Sequence, residues 1–384
     1  MTEKKRLLFR LLVFPFLIAL LLPYTIKNWM FDHSLSTIYY LLVSSGMSFG
    51  LIPIMYKIGI IFDITDKPGG RHLHQIATPR TGGIVIFITF VATLNLVTNP
   101  PVEFQGLFIA SSIIALLGIV DDIKRLPAEL KLLGQIIATI ILIRHGISFS
   151  FIPNHFWGSF FTITLTLIWV VGITNAFNFL DGLDGLSSGI AIIVLIFYAL
   201  ISNSIADTFM ILVSTILIGS ILGFFSYNFR IKKRALIFLG DGGSTFIGFT
   251  IAALSIYGNW GYHKSVDLAI PILLLAVPIA DMVLITMMRA FKKEVKSLSQ
   301  LLRYTGNDHF HHRILQLGFN PRTTVLIIYL LTIIMGLLSL LLKRGDFIES
   351  IIALSIAAII FSLIVFSMVI ADVKVAKKKT ISFK

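Results

Sequence analysis

Residues 175–186 read NAFNFLDGLDGL, a polar stretch set between an apolar run ending near Thr174 and another starting at Leu186. Asn175, Asn178, Asp181 and Asp184 recur in it at a strict spacing of three. While the backbone stays helical, side chains three apart are neighbours on one side of the helix. Gly182 and Gly185 then let the chain leave the helix and come close to a ligand. Two carboxylates held this tightly repel each other unless a cation or several donors sit between them. A plain Asn/Asp/Gly turn between two membrane helices is the simpler reading. Such a turn needs one or two of these residues, not four in register with a repeated Asp-Gly.

Outward from this stretch the chain is overwhelmingly apolar. Of its 384 residues 56% are hydrophobic and 13% charged, and the mean hydropathy is +0.91. Soluble domains carry about 25% charged residues, so the expected fold class is an all-α, polytopic integral membrane protein. The absence of cysteine excludes a disulfide, a thiolate nucleophile and a Cys-based metal site. Candidate spans lie near 8–26, 37–57, 81–98, 104–120, 131–144, 159–175, 186–202, 206–226, 244–258, 267–288, 323–342 and 348–371. The short run at 131–144 and the tight break at 202–206 put the expectation at about 11–12 transmembrane helices. Lys4, Lys5 and Arg6 precede an apolar run with no small-residue cleavage site after it, so that run is expected to stay as the first span.

Orientation follows from the basic residues. With a cytoplasmic N-terminus, 27 of the 32 Lys and Arg fall in inside segments, and only Lys27, Arg144, Lys264, Lys343 and Arg344 fall outside. Both termini are therefore expected in the cytoplasm. The net charge of +13 reflects this orientation and not a nucleic-acid partner. The same topology places the loops 57–80, 121–131, 176–185, 227–243 and 289–322, with every polar cluster, on the cytoplasmic face.

Each of these loops carries residues suited to chemistry. In 63–83, DITDKPGGRHLHQIATPRTGG, the residues Arg71, His74 and Arg80 supply donors, and the Gly82 and Gly83 amides could add more near a helix start. An anchor for anionic headgroups is the alternative there. Asp121 and Asp122 close a span; adjacent helical residues point about 100° apart, so they are expected to do different jobs. Lys131 and Gln135, four apart, are placed to face the same pocket. Asp241 lies in Gly240-Asp241-Gly242-Gly243-Ser244, a bend expected to show one carboxylate and free amides for phosphate oxygens, against the alternative of a helix cap. His309, His311, His312 and Arg313 suit a diphosphate, with His309 and His312 expected on one helical face; a zinc site is the weaker reading. Asp281 is an acid well inside a span, a costly placement, and is expected to brace the site.

Acids suited to Mg²⁺, glycine-rich bends and His/Arg donors on one membrane face describe phosphoryl or phosphosugar transfer from a cytosolic nucleotide to a lipid-held acceptor. The segments DKPGGRHLHQIATPRTGG, GIVDDIKRLPAELKLLGQ, NAFNFLDGLDGLSSG, FLGDGGSTFIGF and HFHHRIL occur in that order. They resemble the successive motifs of the polyprenyl-phosphate N-acetylhexosamine-1-phosphate transferases (the MraY/WecA/TagO group), over about residues 40–370. The HFHHR form, with Phe310 between histidines, looks like the WecA/TagO-like branch. The resemblance implies a multi-span transferase domain over 37–371, an additional N-terminal helix in 1–36 and a basic cytoplasmic tail at 372–384. It implies transfer of a sugar 1-phosphate, foremost GlcNAc-1-phosphate, from a UDP-sugar to undecaprenyl phosphate with release of UMP. The same chemistry on phospho-MurNAc-pentapeptide or another UDP-HexNAc is the alternative.

By this resemblance Asp241, Asp122 and Asp181 are expected metal ligands for Mg²⁺, with Mn²⁺ a possible substitute, and Asp121, Asp122 and Asp181 the catalytic carboxylates. Lys131, Asn175, Asn178 and Asp184 would bind the nucleotide and diphosphate, with Asp184 a candidate for the uracil. His309, His311, His312 and Arg313 match a motif for sugar and phosphate. In this reading the lipid phosphate attacks the β-phosphorus directly, with an aspartyl-phosphate route as the alternative. The implied setting is the bacterial cytoplasmic (inner) membrane, with a homodimer allowed and no nucleic acid. A secondary transporter is the rival of a different class; it would place polar groups near the midplane in related halves, and no internal repeat is evident.

Overall fold

The computed structural model describes residues 24–67, 77–97, 100–149, 156–230, 233–261, 266–291 and 309–382. The chain forms two compact units, Met1–Asn259 and Trp260–Lys384.

The first unit holds α1 (Tyr24–Asp32), α2 (Ser36–Ile61), α3 (Gly82–Leu94), α4 (Val102–Lys124), α5 (Ala128–Arg144), α6 (Phe156–Leu180), α7 (Leu186–Ser204), α8 (Thr208–Asn228) and α9 (Gly240–Tyr257). A two-residue ladder, β1 (Thr65–Asp66) antiparallel to β2 (Thr78–Pro79), ties the loop before α3 to itself. Helix α9 is the hub, packing against α3, α4, α6 and α7. Gly240 and every residue from Gly242 to Ile256 are buried. Its sequence is apolar or small all round, the pattern of a helix enclosed by others. Small residues let backbones approach closely, which is how membrane helices gain packing without a hydrophobic driving force between them. A Cβ on Gly118 of α4 would lie 2.5 Å from the Gly242 Cα, and one on Gly248 would lie 2.7 Å from the Phe177 Cβ of α6. A second pair, α2 with α8, is held across by Ser48, whose hydroxyl donates to the Ser220 carbonyl at 2.6 Å.

The second unit holds α10 (Val266–Leu274), α11 (Ala276–Phe291), α12 (Phe310–Gln316), α13 (Pro321–Leu342) and α14 (Phe347–Ser382). Asn320 starts α13 by accepting the Thr323 amide at 2.9 Å, with Pro321 at the first helical position.

Eleven of the twelve expected spans fall on described helices; the first, near 8–26, lies almost wholly outside the described residues. Seven described helices are long and apolar enough to cross a bilayer, and α10 with α11 would make an eighth. Helices α5 and α9, of 17 and 18 residues, are not among the seven, and two further expectations change. The span at 81–98 is only the 13 residues Gly82–Leu94, about 20 Å at 1.5 Å per residue and shorter than a hydrocarbon core. The span at 267–288 is not straight: α10 and α11 meet at 76°. Pro278 has no N–H for the Leu274 carbonyl, and its ring crowds that carbonyl, so the helix breaks there.

Candidate active site

Single-span helices run alternately up and down, which returns the loops after α2, α4, α6 and α8 to one end of the first unit. Hydrogen bonds between those loops show that they meet. Gly82 and Gly83 donate to the Phe238 and Leu239 carbonyls at 3.0 and 2.8 Å, and Phe238 donates to the Pro79 carbonyl at 2.8 Å.

The two aspartates ending α4 do take different partners. Asp121 is buried; its Oδ1 accepts the Leu126 amide at 2.5 Å and its Oδ2 lies 2.8 Å from Lys131 Nζ. The same ammonium is 3.3 Å from Asp241 Oδ2, so Lys131 in the first turn of α5 joins two carboxylates 120 residues apart in sequence. Asp122 instead receives the Asp241 and Gly242 amides on its two oxygens, both at 2.9 Å. A carboxylate across the first amides of a helix satisfies orphan donors and suits the helix dipole. Gly240 makes the approach possible: its φ is +76°, and a Cβ there would meet the Arg80 carbonyl and the Asp122 carboxylate.

Helix α6 ends at Leu180, so the spacing of three is helical only for Asn175 and Asn178. Asn175 donates to Gln135 Oε1 at 2.8 Å, and Asn178 to Ser244 Oγ at 2.9 Å, which ties α6 to α5 and α9. Asp181 lies just past the helix. Burial, then the charges of Asp241 and Asp122, push its carboxyl well above the usual range; Arg80 opposes this and Asp184 adds to it. Asp184 accepts the Ala235 amide at 2.9 Å. Arg80 is held by Asp66 at 2.5 Å. Arg71 and His74 lie outside the described residues.

The glycine amides expected to face phosphate oxygens have protein partners instead. Those of Gly82 and Gly83 meet carbonyls, and those of Asp241 and Gly242 meet Asp122. Close packing of the loops, which the glycines permit, consumes the donors they expose.

Among the described residues, Asp121, Asp122, Asp181 and Asp241 outnumber the cationic groups acting on them, Lys131 and Arg80. Among the described residues no three acidic or histidine side chains form a metal cage. Magnesium does not require one: it commonly takes one or two carboxylates, keeps waters and shares substrate phosphates. Excess carboxylate charge with Asp181 at its edge suits such a hard cation, and the residues fit that group by donor type.

In the second unit Asp281 is fully buried. Its Oδ1 accepts the Phe310 amide at 2.6 Å, and its Oδ2 lies 2.9 Å from His309 Nδ1. His309 has extended backbone and precedes α12. The expected shared face of His309 and His312 is therefore not formed. The His309 ring instead stacks on His311 at 5.9 Å and 13°, and His311 lies 4.2 Å from His312. His311 is buried, and neither ring nitrogen has a hydrogen-bond partner among the described residues. Burial, then its histidine neighbours, hold it well below the ordinary imidazole range, so it is neutral. Arg313 follows in the same turn.

Residues 104–259 match the family described as glycosyl transferase family 4. The probable undecaprenyl-phosphate N-acetylglucosaminyl 1-phosphate transferase of Bacillus subtilis (strain 168) is 34% identical over 301 residues, covering 77% of this chain and 82% of that protein. The undecaprenyl-phosphate alpha-N-acetylglucosaminyl 1-phosphate transferase of Escherichia coli (strain K12) is 26% identical, covering 76% and 79%. The chain belongs to the polyprenyl-phosphate N-acetylhexosamine-1-phosphate transferase family. The phospho-N-acetylmuramoyl-pentapeptide-transferase of Carboxydothermus hydrogenoformans is also similar, 27% identical over 78% of this chain and 96% of its own.

Two supports of this transferase site escaped the sequence reading. Asp66 holds Arg80, and Asn228 accepts the Gly185 amide at 2.7 Å while donating to the Ile237 carbonyl at 3.0 Å. Asn228 left one usable signal, an amide side chain closing an otherwise apolar span. Asp66 left none, because its partner is set by the β1–β2 pairing.

Proposed function

We propose that this transferase moves N-acetylglucosamine 1-phosphate from UDP-GlcNAc to undecaprenyl phosphate, releasing UMP and forming the polyprenyl-diphosphate sugar that starts a cell-envelope glycan. The names of the relatives support the substrates. The observation that carries the chemistry is the bridge from Asp121 through Lys131 to Asp241, beside Asp122 and Asp181. Joining two phosphates requires compensated negative charge and one carboxylate near the attacking oxygen.

In this reading Asp121 orients the lipid phosphate and takes any proton it carries. A phosphate oxygen of the lipid bonds to the β-phosphorus, the bond from that phosphorus to the bridging oxygen breaks, and UMP leaves. Lys131 neutralises oxygens of the diphosphate as they gain charge. Asn175, Asn178 and Asp184 hold the nucleotide; His309, His311, His312, Arg313, Arg71, His74 and Arg80 act on sugar and phosphates. Asp181 and Asp241 would hold Mg²⁺, or Mn²⁺ in its place, which supplies charge neutralisation across the diphosphate. Asp122 keeps the Asp241 backbone in place and adds charge.

The polar end is proposed to face the cytoplasm, and the protein the inner membrane, on the 27-of-32 bias of basic residues. The test is UMP release from UDP-GlcNAc with undecaprenyl phosphate, assayed with Mg²⁺, Mn²⁺ or EDTA, and in parallel with UDP-GalNAc and UDP-MurNAc-pentapeptide. UDP-GlcNAc should be preferred, EDTA should stop the reaction, and D241A should abolish it. Absence of UMP release with the lipid and Mg²⁺ present would sink the proposal.

A further inference from the structure

Asp281 is buried in α11, beyond the break at Leu275, and both its oxygens are taken. In its carboxylate form Asp281 only accepts hydrogen bonds, and His309 Nδ1 then donates the bond they share. In its neutral form the ring then has one tautomer, with Nε2 as its acceptor atom. The second oxygen holds the Phe310 amide, which opens α12, and the backbone of that helix then dictates where His311, His312 and Arg313 point. An acidic side chain deep in a span is costly and persists where its partners need it.

We infer that Asp281 is a positioning residue: from the kinked span it fixes the tautomer and ring plane of His309 and the start of the helix that carries His311, His312 and Arg313. The inference rests on the proposed contact of His309 with substrate, and it is of the kind made by carboxylates that orient functional histidines in other proteins.

Asparagine separates positioning from simple capping. In D281N the amide oxygen still accepts the Phe310 amide, but the NH₂ facing His309 can only donate, which drives the ring proton from Nδ1 to Nε2. The opposite rotamer sets NH₂ against the Phe310 N–H and loses the cap. The experiment measures kcat, KM for UDP-GlcNAc and Tm for D281N, H309Q and the double variant, in the full-length protein. D281N should lower kcat/KM about 10–100-fold with little change in Tm. The double variant should be no worse than H309Q alone, to within about twofold, whereas D281N combined with H312Q should show multiplied losses.

Should D281N not accumulate as folded protein, D281E keeps an acceptor-only group one methylene longer and should show the same coupling to H309Q. A D281N enzyme within about twofold of wild type, beside an impaired H309Q, overturns the inference and leaves the reading of His309 standing. Multiplied losses in D281N/H309Q mean a merely structural role and also overturn it. Full activity in H309Q overturns both.

Discussion

The carboxylate of Asp122 accepts the backbone amide of Asp241 at 2.9 Å, across 119 residues of sequence. One acid of the pair ending α4 therefore holds the hub helix α9 by its N-terminus, while its neighbour Asp121 turns to Lys131. The location of the Asp241 carboxylate depends on Asp122 even before any ligand binds.

Replacing Asp122 by Ala should remove this cap. A lost helix cap costs about 0.5–2 kcal/mol, and the Asp241 backbone would shift with it. Asp122→Asn keeps an acceptor for one of the two amides and should lie between. Thermal melting and UMP release, measured together, should fall in the order wild type, Asn, Ala.

Lys131→Gln leaves Asp121 and Asp241 facing each other without their shared cation. The expected loss of stability is about 1–2 kcal/mol, less than for a fully buried pair because the Lys131 side chain is 32% exposed. Turnover should fall further than stability. Adding Asp121→Asn should recover melting temperature but not UMP release, because it removes the repulsion and not the need for the carboxylate.

Asp181 gives a pH dependence of known sign. Its folded pKa lies well above the ordinary 3.8, so the stability tied to its proton is complete below that value and is lost as pH rises through the folded pKa. Ligand-free Asp181→Asn has no such proton to lose. Its melting temperature should therefore exceed that of wild type increasingly toward alkaline pH, by roughly 2 °C for each kcal/mol relieved. Its UMP release should be lost at every pH. A variant destabilised at alkaline pH would contradict the assignment.

Gly118→Ala should wedge α4 away from α9, since its Cβ would lie 2.5 Å from the Gly242 Cα, which is backbone and cannot rotate aside. Overpacking of this kind costs about 1–3 kcal/mol, and both Asp121 and Asp122 ride on the displaced turn. UMP release should drop at least about tenfold, as misplacement of about an ångström at a reacting centre does. Gly172→Ala, with nothing within 4 Å, should leave activity unchanged and is the control.

The gathering of the acids was legible in particular residues. Asp121, Asp122, Asp181, Asp184 and Asp241 stand out as acids at the ends of apolar runs, and the alternation of spans brings their loops to one end of the bundle. The jobs of those residues were less legible. Gly82, Gly83 and Gly242 looked like phosphate donors and proved to be a packing seam, because a glycine's absent side chain serves a ligand and a neighbouring helix equally well. Asn175 and Asn178 also brace α6 against Gln135 and Ser244, a second job that their spacing of three did not announce.

By itself the sequence determined the order of the apolar segments, the sidedness expected of them and the chemical types gathered at their ends. Those follow from properties summed along the chain: transfer free energy over about 20 residues, and the placement of Lys and Arg. Only the tertiary structure decided that Lys131 joins Asp121 to Asp241, that Asp122 caps α9 and that Asp281 holds His309. Hydrogen bonds and ion pairs act over about 3 Å between residues separated by 10 to 120 positions, and no local pattern encodes which partner the packing will bring that close.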